Sequence, residues 1–174
     1  MEVRFVEPTL AQMEQVNCEA LAIPFFKGER PLHGAFGLVD WRMCGLISRM
    51  MIKNHILGSL NETILMPGHP RIGIEKLFLF GLGESNDFQE EFLDRVSEHI
   101  FDTLTRANVR TSAMVLPGRS QNRITPSNSI ERFLGVAANH QEHDIVTILE
   151  DRAAQKEMEP VVERERRKAR AYSI

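Results

Sequence analysis

Apolar residues follow two alternating rhythms along this chain. Residues 2–7 alternate between charged and apolar positions until Pro8, as a half-buried strand does. The segments 19–26, 62–67, 75–82, 111–116 and 144–149 are short and mostly apolar, which predicts buried strands. Pro67-Gly68, Gly81-Leu82-Gly83 and Pro117-Gly118 punctuate three of them. Between the strands the spacing changes to that of helices. Residues 9–16 fit one short helix. Phe36, Val39, Met43, Ile47 and Met50, widened by Leu46 and Met51, predict one long helix with Arg42, Arg49 and Lys53 on another face. Phe88, Phe92, Val96, Ile100 and Leu104 recur every fourth residue beside Leu93 and Phe101, giving the clearest amphipathic helix, with Asn86 read as its N-cap. Thr125-Pro126 reads as a cap and first helical residue ahead of Ile130, Phe133, Leu134 and Ala137. Strand and helix alternate almost throughout. The expectation is an α/β fold, a three-layer α/β/α sandwich around a mixed, mostly parallel sheet.

Past residue 150 the pattern changes. Residues 161–170 hold five basic and two acidic side chains, and Pro160 is expected to interrupt any helix there. The reading is a globular domain over 1–150 and a solvated, charged helical tail over 151–174.

Composition narrows the class. A chain of 174 residues with 43% hydrophobic and 26% charged residues excludes collagen, wholesale disorder and a polytopic membrane protein. A net charge of -3 supplies no basic field for nucleic acid or anionic lipid. No run approaches the roughly 20 apolar residues of a membrane helix, and the alternating N-terminus is unlike a signal peptide. A cytoplasmic protein without membrane contact is expected. Cys18 and Cys44 form no C-x-x-C pair, so free thiols follow, with Cys44 read as a small core residue.

Catalytic signatures are missing from the sequence. There is no G-x-S-x-G elbow, H-E-x-x-H pair or Walker loop. His140 and His143 could chelate from one helical face, but a zinc site needs a third ligand that the spacing does not supply. His33, His55, His69 and His99 are scattered, and Glu90-Glu91 reads as a solvated helix face. The expectation is no catalytic residue, no metal and no cofactor.

Five segments in fixed order do carry a resemblance. They are Ile23-Pro24-Phe25-Phe26, Val39-Asp40, Gly45-Leu46-Ile47-Ser48, Glu62-Thr63-Ile64-Leu65-Met66-Pro67 and Phe80-Gly81-Leu82-Gly83. Their order resembles the N-terminal domain of the leucyl aminopeptidases, over about residues 2–150. In that family the chemistry sits in a second domain that holds two metals and carries an "N-T-D-A-E-G-R" stretch, which is absent here. The resemblance implies a scaffold without peptidase activity: an assembly or regulatory module that self-associates or contacts a separate protein partner.

The same domain is similar in fold to macro domains, which bind ADP-ribose. Gly34, Ala35, Gly37 and Asp40 lie in the stretch that leads into the helix containing Gly45-Leu46-Ile47, where backbone N–H groups at the helix start could receive phosphate. Gly81 and Gly83 follow a strand and could line the same cleft. A binder of ADP-ribose or a nucleotide is therefore the alternative, against plain tight turns at those glycines. The asparagine-rich turn of active macro domains is replaced by Pro24-Phe25-Phe26-Lys27. Nucleic-acid binding by the basic stretch from Arg164 to Arg170 is the remaining option.

Overall fold

The computed structural model describes residues 1–171. Six strands form one sheet: β1 (Glu2–Val6), β2 (Ala20–Phe25), β3 (Thr63–Pro67), β4 (Lys76–Gly81), β5 (Thr111–Met114) and β6 (Ile145–Leu149). Their order is β1-β6-β5-β2-β4-β3, parallel throughout except for β3 against β4. The helices are α1 (Leu10–Gln15), α2 (Gly34–Arg42), α3 (Leu46–Ile52), α4 (Glu91–Arg106), α5 (Pro126–Ala137) and α6 (Arg152–Ala171).

The pleat sends alternate residues of β2 to opposite faces. Leu21, Ile23 and Phe25 pack with Phe36, Val39, Ile47 and Met51 of α2 and α3. Ala20 and Ala22 face the other layer, where Ile100, Phe101 and Leu104 of α4 meet Ile130 and Phe133 of α5. The rings of Phe101 and Phe133 stack with centroids 5.3 Å apart. The three-layer α/β/α arrangement read from the chain is the observed one.

Several local expectations need correction. The predicted long helix is two helices. Cys44 (φ 57°) and Gly45 (φ 70°) adopt left-handed backbone that no continuing helix tolerates, so α2 stops at Arg42 and α3 restarts at Leu46. That break places Cys44 on the exposed surface, with its Sγ accepting from Arg71, and not in the core. Cys18 is the half-buried thiol, and burial pushes its pKa up to about 11, so it stays protonated. Asn86 lies in a separate 3-10 turn at Ser85–Asp87, where its Oδ1 accepts from Arg123 (3.0 Å), and α4 begins at Glu91.

The charged C-terminal segment is helical but not simply solvated. Ala154, Met158, Val161 and Val162 recur at helical spacing and are buried, the last three in the same core as Ile148 and Phe133. Pro160 sits on the exposed side of α6 and does not end it. Its missing N–H removes one bond of the ladder, and the packed stripe keeps the turns together on either side. Residues 172–174 of the expected tail lie outside the described residues.

The turn from α5 into β6 is tied down by two imidazoles. His140 stacks on Phe101 with centroids 4.8 Å apart, and its nitrogens face Glu98 Oε2 (3.1 Å) and Glu142 Oε1 (3.2 Å). His143 is buried with Nε2 2.9 Å from Ser112 Oγ. The two imidazoles therefore serve separate contacts, and no group of three His, Cys, Asp or Glu among the described residues could hold a metal ion. Burial pushes His140 down, but its hydrogen bonds to Glu98 and Glu142 outweigh that and raise its pKa overall. Burial lowers the pKa of His143.

Linkage gives these shifts opposite signs. The raised group contributes stability that is complete below its unfolded pKa and lost as pH rises through the folded value. The depressed group contributes stability present above its unfolded pKa and lost as pH falls through its folded value. Thermal melts should therefore show His140→Gln removing a decline on the alkaline side of pH 6.5. His143→Gln should blunt a decline on the acid side. Identical pH profiles for wild type and both variants would refute the assignment.

Candidate functional site

A cleft of about 230 Å³ opens beyond the carboxyl ends of β2, β5 and β6. Its position follows from local chemistry. The β2–β5 ladder runs from Ala20↔Ser112 to Ala22↔Met114. Two residues on, Pro24 has no N–H to offer β5, so the strands part there, with Pro24 and Val115 in the walls. Parallel α/β sheets place ligand crevices at this end of their strands.

Three segments build the walls. The first is the start of α2, contributing His33, Gly34, Ala35 and Phe36. Gly34 has φ 54°, a backbone that favours glycine, and His33 makes no side-chain cap. The first bond of this turn is from Gly37 N–H to His33 O (3.1 Å), leaving the N–H groups of Gly34, Ala35 and Phe36 ahead of the ladder.

The second segment is the loop after β5, which contributes Arg119, Ser120 and Asn122. Arg119 is nine-tenths buried. Its Nε donates to Glu150 Oε2 (2.8 Å) and its Nη1 to the Ile124 carbonyl (2.8 Å). Ser120 Oγ donates to Glu29 Oε2 (3.2 Å), which also accepts from Phe26 N–H (2.9 Å). Glu29 itself is buried, and burial raises its pKa. It ties the β2–α2 loop to the β5–α5 loop just behind the cleft.

The third segment is the end of β6, with Leu149, Glu150 and Asp151. Asp151 Oδ1 caps α6 by accepting from Ala153 N–H (2.9 Å) and Ala154 N–H (3.0 Å).

The residues picked from sequence do not gather in this cleft. Gly34 and Ala35 line it. They belong, with Gly37 and Asp40, to the first turns of α2 itself and not to a loop ahead of a helix. Gly37 packs against the chain: a Cβ there would lie 2.6 Å from the Leu32 carbonyl oxygen. Asp40 is buried and turned to α3, where its carboxylate accepts from Ser48 N–H (3.1 Å) and from the Ser48 hydroxyl. Gly83 lines a different hollow with Lys27, Leu60 and Phe88.

Gly81 is a packing glycine, since a Cβ would sit 2.0 Å from the Ser59 carbonyl oxygen. Gly81→Ala is accordingly expected to destabilise the fold by about 1–3 kcal/mol or more through overpacking. A denaturation midpoint equal to wild type would contradict that close approach.

Sequence reasoning passed over Arg119, Ser120, Glu150 and Asp151. Residues 119–124 lie between Pro117-Gly118 and Thr125-Pro126 and carry no strand or helix spacing, and nothing in their order shows that Arg119 meets Glu150.

The comparisons with known proteins agree with this architecture. The profile of the cytosol aminopeptidase family, N-terminal domain, matches residues 22–139. A probable cytosol aminopeptidase of Thermosynechococcus vestitus is 32% identical over 101 residues, covering 57% of this chain and 20% of that protein. The chain thus spans about a fifth of that relative's length.

Among solved structures, tomato leucine aminopeptidase superposes with TM-score 0.64 at 13% identity, over 92% of this chain and 35% of the other. A Trypanosoma brucei macrodomain in complex with ADP-ribose gives TM-score 0.71 at 12% identity, over 92% and 69%. Those two likenesses establish the fold. The profile match extends across most of the sheet and its helices, and on that ground the chain belongs to the cytosol aminopeptidase family, through the family's N-terminal domain.

Proposed function

We propose that this domain is a regulatory binding module that takes a small ligand with an anionic group in the cleft beyond β2, β5 and β6. One observation carries the reading: the uncapped first turn of α2 and the buried guanidinium of Arg119 line the same cavity. Helix starts and buried arginines are both suited to carboxylate or phosphate. The ADP-ribose of the Trypanosoma brucei macrodomain makes ADP-ribose the reference probe here.

Thermal unfolding with ADP-ribose, AMP, inorganic phosphate and small carboxylic and amino acids tests the reading. A ligand that binds only the folded state adds about 2.7 kcal/mol at a hundredfold excess over Kd, so the melting temperature should climb with concentration. Flat melting temperatures across the panel at millimolar ligand would count against the cleft as a site.

Assembly through the β3 edge is a second reading with its own observation. Gly81 N–H bonds to Glu62 O (2.7 Å) and Gly68 N–H to Glu75 O (2.8 Å), which sets Ile64 and Met66 facing β4. The backbone groups of Thr63 and Leu65 then point outward, and the Leu65 side chain is 57% exposed. Light scattering reads this directly through the particle mass, and a strict monomer at high concentration would remove it.

The basic stretch of α6 is less suited to nucleic acid than its composition implies. Arg164 pairs with Glu131 (2.7 Å), Lys168 with Glu165 (2.8 Å), and Arg166 donates to the Val3 carbonyl (2.8 Å).

A further inference from the structure

The proposed cleft holds both signs of charge, and its size limits what fits. On one wall, Arg119 spends Nε on Glu150 and Nη1 on the Ile124 carbonyl, while Nη2 has no hydrogen-bond partner among the described residues. It is not among the fully enclosed unpaired atoms either, and Arg119 is one of the residues that line the cleft. The start of α2 adds N–H groups on that side. The acidic groups stand at the end of β6, where Glu150 is in direct contact with Arg119. Asp151 is exposed there, with Oδ1 on the α6 backbone and Oδ2 without a partner among the described residues, and Glu150 stands beside it.

Arg119 and Glu150 cancel each other's charge, which leaves the Asp151 carboxylate as the net charge at the end of β6. A diphosphate would meet that carboxylate with its own negative charges. A volume of about 230 Å³ also falls below the roughly 300–1,000 Å³ of sites that enclose drug-sized ligands. A compact ligand with one charge of each sign meets both constraints.

We infer that the cleft takes a zwitterion of amino-acid size. Its carboxylate lies against Arg119 Nη2 and the start of α2, its ammonium against Asp151 and Glu150, and its apolar side chain among Ile23, Val115 and Leu149. The carboxylate supplies Nη2 with a charge-assisted hydrogen bond, and the ammonium supplies one to the carboxylates opposite. The inference rests on the reading of this cleft as the binding site and names the ligand class that it selects.

Isothermal titration of the full chain separates the possibilities. The probes are L-alanine, L-valine, L-leucine, 3-methylbutanoate (valine without its ammonium), 2-methylpropylamine (valine without its carboxylate), ADP-ribose and inorganic phosphate. At least one amino acid should bind, and each truncated valine should bind at least tenfold more weakly than valine. Asp151→Asn keeps a capping side chain and removes the charge. It should weaken amino-acid binding at least tenfold and leave 3-methylbutanoate unchanged, a difference that a merely structural role would not produce. ADP-ribose or phosphate binding more tightly than every amino acid would overturn the zwitterion while leaving the cleft as a site. Absence of binding by all seven probes would overturn both.

Discussion

Glu150→Ala is expected to lower the unfolding free energy by about 3–5 kcal/mol. Arg119 and Glu150 form an ion pair whose side chains are 7% and 12% exposed. Removing one partner strands the other charge in a site that water barely reaches. The pair itself need not stabilise the fold, because desolvation offsets much of the attraction. A double replacement, Arg119→Met with Glu150→Leu, should therefore recover most of the loss. Urea titrations of wild type, single and double variants decide the matter. A single variant as stable as wild type would mean that the pair is wet. A double variant no better than the single would mean that the pair does more than avoid a stranded charge.

Met158→Ala is the second large effect, with an expected cost of about 2–5 kcal/mol. Met158 is completely buried in the core shared by β6, α5 and α6. Its exposed neighbour Lys156 should tolerate alanine within about 0.5 kcal/mol. The contrast distinguishes a helix that belongs to the core from a charged appendage. Equal stability of the two variants would restore the picture of a solvated tail.

The sheet was the most legible part of the chain. All six strands lie where the chain predicts them, five from short apolar segments and β1 from its alternation, and the signal is strongest in β2 and β4, which are covered on both faces. Helix α4 was equally clear, since its buried residues repeat at a strict helical interval. The break between α2 and α3 was not legible. Met43 and Ile47 keep helical spacing across it, and only the left-handed backbone at Cys44 and Gly45 shows that the axis changes. In α6 the sparse stripe of Ala154, Met158, Val161 and Val162 was masked by the charges around it.

The cleft was half legible. Gly34 and Ala35 announce a helix start near a strand end. Arg119 and Glu150 are 31 residues apart and meet only because β5 and β6 are neighbours in the sheet. Gly81 shows the opposite case. A Cβ there would sit 2.0 Å from the Ser59 carbonyl oxygen, a packing demand that the glycine pattern alone does not reveal.

Amide chemical shifts recorded while a binding probe is titrated into the protein show whether the cleft beyond β2, β5 and β6 is the binding site. The signals of Gly34, Ala35, Phe36, Arg119 and Ser120 should move together and saturate with one dissociation constant, while those of Thr63 and Leu65 on the β3 edge stay in place. Saturable movement confined to any other surface would contradict that placement.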